Sequence, residues 1–136
     1  MKLLMFGAPR YWYKAFEKVL PAAPDSEVEE TVTEATVVFI HVEPADAERP
    51  GPARTKLLKN IKWMANKREM QHIVLHAFTH LSNESADATF AHGLIEETAD
   101  RLRDVGYEVW VTPFGYLCEW ELRVFGESLS RVYKAF

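Results

Sequence analysis

Two apolar runs, "ATVVFIHVE" (35–43) and "HIVLHAF" (72–78), constrain this chain more than any other feature of it. Neither alternates polar with apolar residues. Both are rich in β-branched or aliphatic side chains, the composition of strands covered on both faces. Between them lies a Pro/Ala-rich connector, "EPADAERPGPA", and then Leu57, Leu58, Ile61, Met64 and Ala65 at helical spacing. That spacing predicts an amphipathic helix over 53–68.

The remaining segments supply partners for these central strands. Residues 1–6 read as a short strand ending at Gly7-Ala8-Pro9. "RYWYKAF" (10–16) reads as a separate edge or half-buried strand, with Tyr11, Tyr13 and Ala15 on one face. Ala91, Leu94, Ile95, Thr98, Leu102 and Val105 mark a second helix, and Gly106 stands where a helix C-terminal glycine belongs. "YEVWVTPF" and "LCEWELRVF" look like paired strands around Gly115, and "SLSRVYKAF" like a last strand or a short helix. The expected order is β-β-β-α-β-α-β-β, an α/β fold with two helices packed on one face of a mixed β-sheet.

At 136 residues the chain is expected to be a single domain, 1–136, large enough to bury a core unaided. Its one cysteine, Cys118, excludes an internal disulfide and a thiolate-rich zinc site, and fits a cytoplasmic setting. No run is long enough to span a bilayer, and no secretory signal is present, so no membrane role is expected. His72, His76 and His80 recur every four residues. On a strand the outer two would lie roughly 26 Å apart and could not share an ion. No metal and no cofactor are therefore expected. His76 reads as a hydrogen-bonded core histidine, whereas His80 lies past the strand end in the polar loop "FTHLSNESAD".

The net charge of -4 gives no global case for nucleic-acid binding. Locally, "ARTKLLKNIKWMANKR" carries Arg54, Lys56, Lys59 and Lys62 with no acid among them, a stripe able to track phosphates. The same stripe is also what a solvated helix face looks like. The loop after the second apolar run sits at a strand-to-helix junction, a common ligand position in α/β folds. Its Ser82, Asn83, Ser85 and Asp87 equally suit helix capping. No G-x-S-x-G elbow and no phosphate-binding glycine loop is present.

Two of these stretches together carry a resemblance. "FTHLSNE" (78–84), a helix, "GYEVWVTPFGY" (106–116) and "LSR" (129–131) resemble the editing domain of archaeal-type threonyl-tRNA synthetases, in order and in spacing. The match is good over 71–131 and poor in residues, though not in element order, over 1–70. The resemblance implies a D-aminoacyl-tRNA deacylase-like fold and a homodimer. It also implies hydrolysis of a mischarged aminoacyl ester, chiefly seryl-tRNA for threonine, at the 3′ end of a tRNA. Such a site has a physical purpose, because one missing methyl lets a binding pocket reject serine by only about 1–3 kcal/mol.

By the same resemblance the substrate's 2′-hydroxyl and a held water do much of the chemistry. His80 would stand beside the ester, and Phe114, Gly115 and Tyr116 would form a wall. Ala8, Pro9, Ser82 and Arg131 would complete the substrate site, and Arg54, Lys56, Lys59 and Lys62 would meet tRNA. The departures are specific. Cys118 occupies the place of a family lysine, Leu117 that of a frequent aromatic, and Arg131 that of an expected acid. Gly7-Ala8-Pro9-Arg10 also lacks the polar character usual in the first turn.

Three function classes follow. The first is a deacylase acting in trans, free-standing or beside a synthetase partner, expected because the chain begins at Met1 and carries no synthetase module. The second is a non-catalytic relative that binds an aminoacyl-adenosine-like ligand or a partner protein. The third is a hydrolase using Cys118 as nucleophile with His80 as its base, which requires a lowered thiol pKa.

Overall fold

The two apolar runs become neighbouring parallel strands inside a six-stranded sheet, in the computed structural model of residues 1–136. The strands are β1 (Lys2–Lys18), β2 (Glu29–His41), β3 (His72–Ala77), β4 (Glu108–Val111), β5 (Tyr116–Arg123) and β6 (Arg131–Ala135). The helices are α1 (Pro44–Glu48), α2 (Pro50–Lys67) and α3 (Ala88–Asp104). Across the sheet the order is β4-β3-β2-β1-β5, with β6 also on β1. β2, β3 and β4 run parallel, while β1 is antiparallel to β2, β5 and β6.

Three expectations are corrected. The first two predicted strands are one 17-residue strand, β1, and Gly7-Ala8-Pro9 is no turn. Here Ala8 pairs with Ala35 and Arg10 with Thr33. Between those pairs Pro9, which has no N–H to give, meets Glu34, held at φ 49°. The irregularity is absorbed inside the ladder. Of the two readings of residues 10–16 the half-buried one holds and the edge one does not, since β2 flanks β1 on one side and β5 and β6 on the other. Finally, β4 and β5 are not paired around Gly115, for they lie at opposite flanks of the sheet. The proline-rich connector, for its part, holds the short α1, with Pro44 and Pro50 opening α1 and α2 where a missing N–H costs nothing.

α2 and α3 cover one face. Leu57, Ile61, Met64, Leu94, Ile95 and Leu102 pack on Leu3, Met5, Val38, Ile40, Ile73 and Leu75. Each fully buried aliphatic there stabilises the fold by about 1.5–3 kcal/mol. The opposite face carries a second core of Ala8, Tyr11, Tyr13, Val32, Ala35, Val37, Phe39 and Val74. It lies under the curl of the long β1–β2 hairpin, whose β5 neighbour brings Trp120 to 5.2 Å from the Phe39 ring. The two cores follow from strand alternation, because Val38 and Val37 point to opposite sides.

Candidate functional site

The curl leaves a cleft of about 450 Å³ at the C-terminal ends of β2 and β3. This is where ligands sit in parallel α/β sheets. Its floor is Ile40, Val42, His76 and Ala77, one wall is α3 (Ala88, Ala91, Ile95), and the other is 112–118 with Trp120. Val19 and Leu20, beyond the end of β1, close the rim.

The 112–116 turn is fixed by bonds to distant backbone. Thr112 N–H donates to the Leu75 carbonyl, and the Gly115 carbonyl accepts from Val19 and Leu20 N–H at 2.7 and 3.1 Å. Ser26 N–H donates to the Tyr116 hydroxyl at 2.8 Å. Phe114 stacks on His92 of α3, ring centroids 4.7 Å apart and planes within 10°. His92 was not singled out in the sequence. Its position one helical turn before Glu96, with which it pairs, gave no hint of a ring facing Phe114.

The loop 78–87 is held from below by His41. Its Nδ1 accepts from Leu81 N–H at 3.1 Å, which leaves the proton on Nε2 to donate to the Glu84 carbonyl at 2.9 Å. Ser85 Oγ lies 3.1 Å from the same Nε2. Asp87 caps α3 through Thr89 and Phe90 N–H, so the helix N-terminus already holds a carboxylate. Ser85 and Asp87 thus spend their side chains on local structure. Thr79, His80 and Ser85 line the cleft, His80 exposed and edge-on to Phe78 at 5.1 Å.

The predicted site residues divide into two groups. His80, Phe114, Gly115, Tyr116 and Cys118 line the one cleft. Ala8, Pro9, Ser82 and Arg131 do not. Ala8 is buried in the second core. Ser82 Oγ donates to Glu43 at 2.8 Å, a carboxylate that also takes Lys2 and the Met1 amine. Burial pushes the Glu43 carboxyl up, but those hydrogen bonds outweigh it and hold it at about 2. Arg131 donates to the Phe125 carbonyl at 3.2 Å on the far side of β1. On α2, Arg54 is paired with Glu97 at 3.0 Å, whereas Lys56 and Lys59 are exposed and Lys62 half-buried.

The electrostatics are those of an uncharged cleft. No lysine, arginine or carboxylate lines it. Cys118 is half-buried, and burial pushes its thiol above the usual value. No hydrogen bond joins it to His80, so nothing in the geometry lowers that pKa as a nucleophile needs. His76 differs from expectation. It is buried, but its Nδ1 has no partner, and burial pushes the imidazole down to about 4. His72 opens the other end of β3, with Nδ1 2.6 Å from the Thr33 carbonyl.

Known proteins resemble this chain. A profile of the archaea-specific editing domain of threonyl-tRNA synthetase matches residues 1–136. The threonine–tRNA ligase of Thermococcus kodakarensis is 30% identical over 135 residues, 97% of this chain and 22% of that protein. That of Hyperthermus butylicus is 30% identical over 142 residues, covering 100% and 23%. The chain thus spans less than a quarter of the length of these curated relatives. Among solved structures, the c-Myc DNA unwinding element binding protein superposes with a TM-score of 0.70 at 10% identity, covering 100% of this chain and 99% of that one. That likeness concerns the fold alone, which is the D-aminoacyl-tRNA deacylase-like α/β arrangement.

Proposed function

Because this chain belongs to the family of archaea-specific editing domains of threonyl-tRNA synthetase, we propose that its cleft takes the aminoacylated 3′ end of a mischarged tRNA and hydrolyses the ester. The observation that carries this proposal is the convergence of two distant stretches, 78–80 and 112–118, on one cleft. Seryl-tRNA for threonine is the substrate put forward, acted on in trans or beside a synthetase partner.

His80 orients the attacking water at the cleft mouth, where it is exposed and rests on Phe78. Phe114, Gly115 and Tyr116 form the wall against which the terminal nucleoside lies. With no cation in the cleft, developing negative charge must be met by hydrogen-bond donors such as backbone N–H, the Thr79 hydroxyl and the substrate's own 2′-hydroxyl. Cys118 serves as a small neutral filler at the place of the family lysine. Lys56, Lys59 and Lys62 track tRNA phosphates from α2. Assembly as a homodimer belongs to the same proposal, and sedimentation equilibrium checks it; a monomer at micromolar concentration removes it.

The deciding experiment incubates the protein with seryl-tRNA and other mischarged tRNAs. Deacylation above buffer is expected, with His80→Ala slowing it roughly 10- to 100-fold, as for a group that positions or deprotonates water. Cys118→Ser is expected to stay within about twofold of the parent, because a neutral thiol of raised pKa makes a poor nucleophile. A complete loss on Cys118→Ser would restore the thiol as nucleophile. An absence of turnover for every tRNA defeats the hydrolytic proposal.

A second reading, binding without turnover, is favoured by the uncharged lining of the cleft. Saturable binding of a seryl-adenosine analogue by a protein inactive on seryl-tRNA is its signature, and rapid turnover excludes it.

A further inference from the structure

Beyond His80, a second imidazole meets the cleft. His76 lies in register with Phe39 in the sheet and forms part of the cleft floor. Its ring sits 5.0 Å from that of Phe39 and 6.2 Å from that of Phe78, which in turn contacts His80. One aromatic ring thus separates the two imidazoles. The side chain is 7% exposed, and its Nδ1 is enclosed without any hydrogen-bond partner.

Native proteins leave few buried polar atoms unpaired, and the exceptions call for an explanation. An enclosed N–H without an acceptor is the rarer kind of orphan, so the proton belongs on Nε2. No protein group bonds Nε2, and it is not among the enclosed atoms, so it is the nitrogen left open to the cleft. Burial alone keeps the ring neutral at physiological pH, with its pKa at about 4.

We infer that His76 is a specificity-determining residue of this cleft, its Nε2–H donating a hydrogen bond to an uncharged acceptor on the bound molecule. The inference deepens the proposed function and rests on it. On an aminoacyl-adenosine the uncharged acceptors are the serine hydroxyl oxygen, the acyl carbonyl oxygen, the ribose oxygens and the ring nitrogens of adenine. A carboxylate or phosphate at this depth would be desolvated against Phe39 and Phe78 with no cation to meet it.

The test measures binding of non-hydrolysable seryl- and alanyl-adenosine amides, and of adenosine, to the parent and to His76→Phe by calorimetry. In parallel, ¹⁵N NMR of the parent follows the His76 ring nitrogens. Binding is expected to shift the Nε2 resonance, and His76→Phe is expected to weaken affinity roughly tenfold, the loss of one hydrogen bond to a neutral partner. His76→Gln, which keeps an N–H donor, should recover part of it.

If the acceptor is serine's hydroxyl, only the seryl analogue weakens. If it is the acyl carbonyl, both amides weaken and adenosine does not; if it is adenine or ribose, all three weaken together. Should His76→Phe not fold, the Nε2 shift in the parent decides alone. Unchanged affinities, or an unmoved Nε2 resonance with ligand bound, overturn this inference while leaving the proposed function standing. A parent protein that binds none of the three overturns both.

Discussion

Gly115→Val is expected to lower unfolding stability by roughly 3–5 kcal/mol, through left-handed backbone strain and forced overpacking at one position. Gly115 holds φ +84°, and a Cβ there would stand 2.9 Å from the Ala23 Cβ and 3.0 Å from the Leu20 Cβ. Those neighbours are not flexible side-chain ends, so backbone must move to make room. The backbone concerned is the rim of the cleft, because the Gly115 carbonyl takes Val19 and Leu20 N–H. Denaturant unfolding measures the cost. Gly126→Ala is the control, since its added Cβ meets nothing within 4 Å, and it is expected to stay within about 0.5 kcal/mol. A Gly115→Val protein as stable as that control would show that the 112–116 turn is not clamped to the hairpin.

The second large effect is a loss of stability in mild acid. The imidazole of His76 is held at about 4 in the folded protein, and its ordinary value is 6.5. Between these two pH values the unfolded chain binds the proton and the folded chain refuses it. Stability is therefore complete above about 6.5, falls as pH drops towards 4, and levels below it. The whole window is worth about 3 kcal/mol. Glu43 acts in a lower window and with the ordinary carboxylate sign, since its folded value near 2 lies below the usual 4.5. Its contribution is present above 4.5 and disappears as pH falls towards 2. Unfolding free energies at pH 7, 5.5 and 4.5 separate the histidine from the rest. His76→Phe should flatten the curve between 7 and 4.5, and a variant whose stability declines in parallel with the parent removes His76 as the cause.

The central strands, both main helices and the Tyr11/Tyr13 face were legible in the sequence because burial is written there as periodicity. Gly106 was legible too, ending α3 at φ +102°. Illegible features depended on groups far apart in the chain. Gly7-Ala8-Pro9 has the composition of a turn, and only the pairing of Ala8 with Ala35 shows that it runs on as strand. Pro-Phe-Gly-Tyr likewise looks like a hairpin between β4 and β5. The carbonyl of its glycine is instead taken by Val19 and Leu20, which draws β5 across to β1. At the site, motif spacing brought His80, Phe114, Gly115, Tyr116 and Cys118 to one cleft. It could not show that Ser82 is occupied by Glu43, or that His76 lacks a partner.

β1 has a consequence for how this protein comes into being. Residues 2–6 of β1 pair with residues 131–135 of β6, and residues 10–18 with 116–123 of β5. During synthesis β1 leaves the ribosome well ahead of β5 and β6, the strands that cover its second edge. Loop closure over such separations is slow, and an open strand edge invites pairing with other chains. The β1–β2 hairpin is the piece that can form early, and α2 and α3 can collapse on its inner half. Final closure by β5 and β6 is then the late step, and the cleft, walled by residues 112–118, comes into existence only with it.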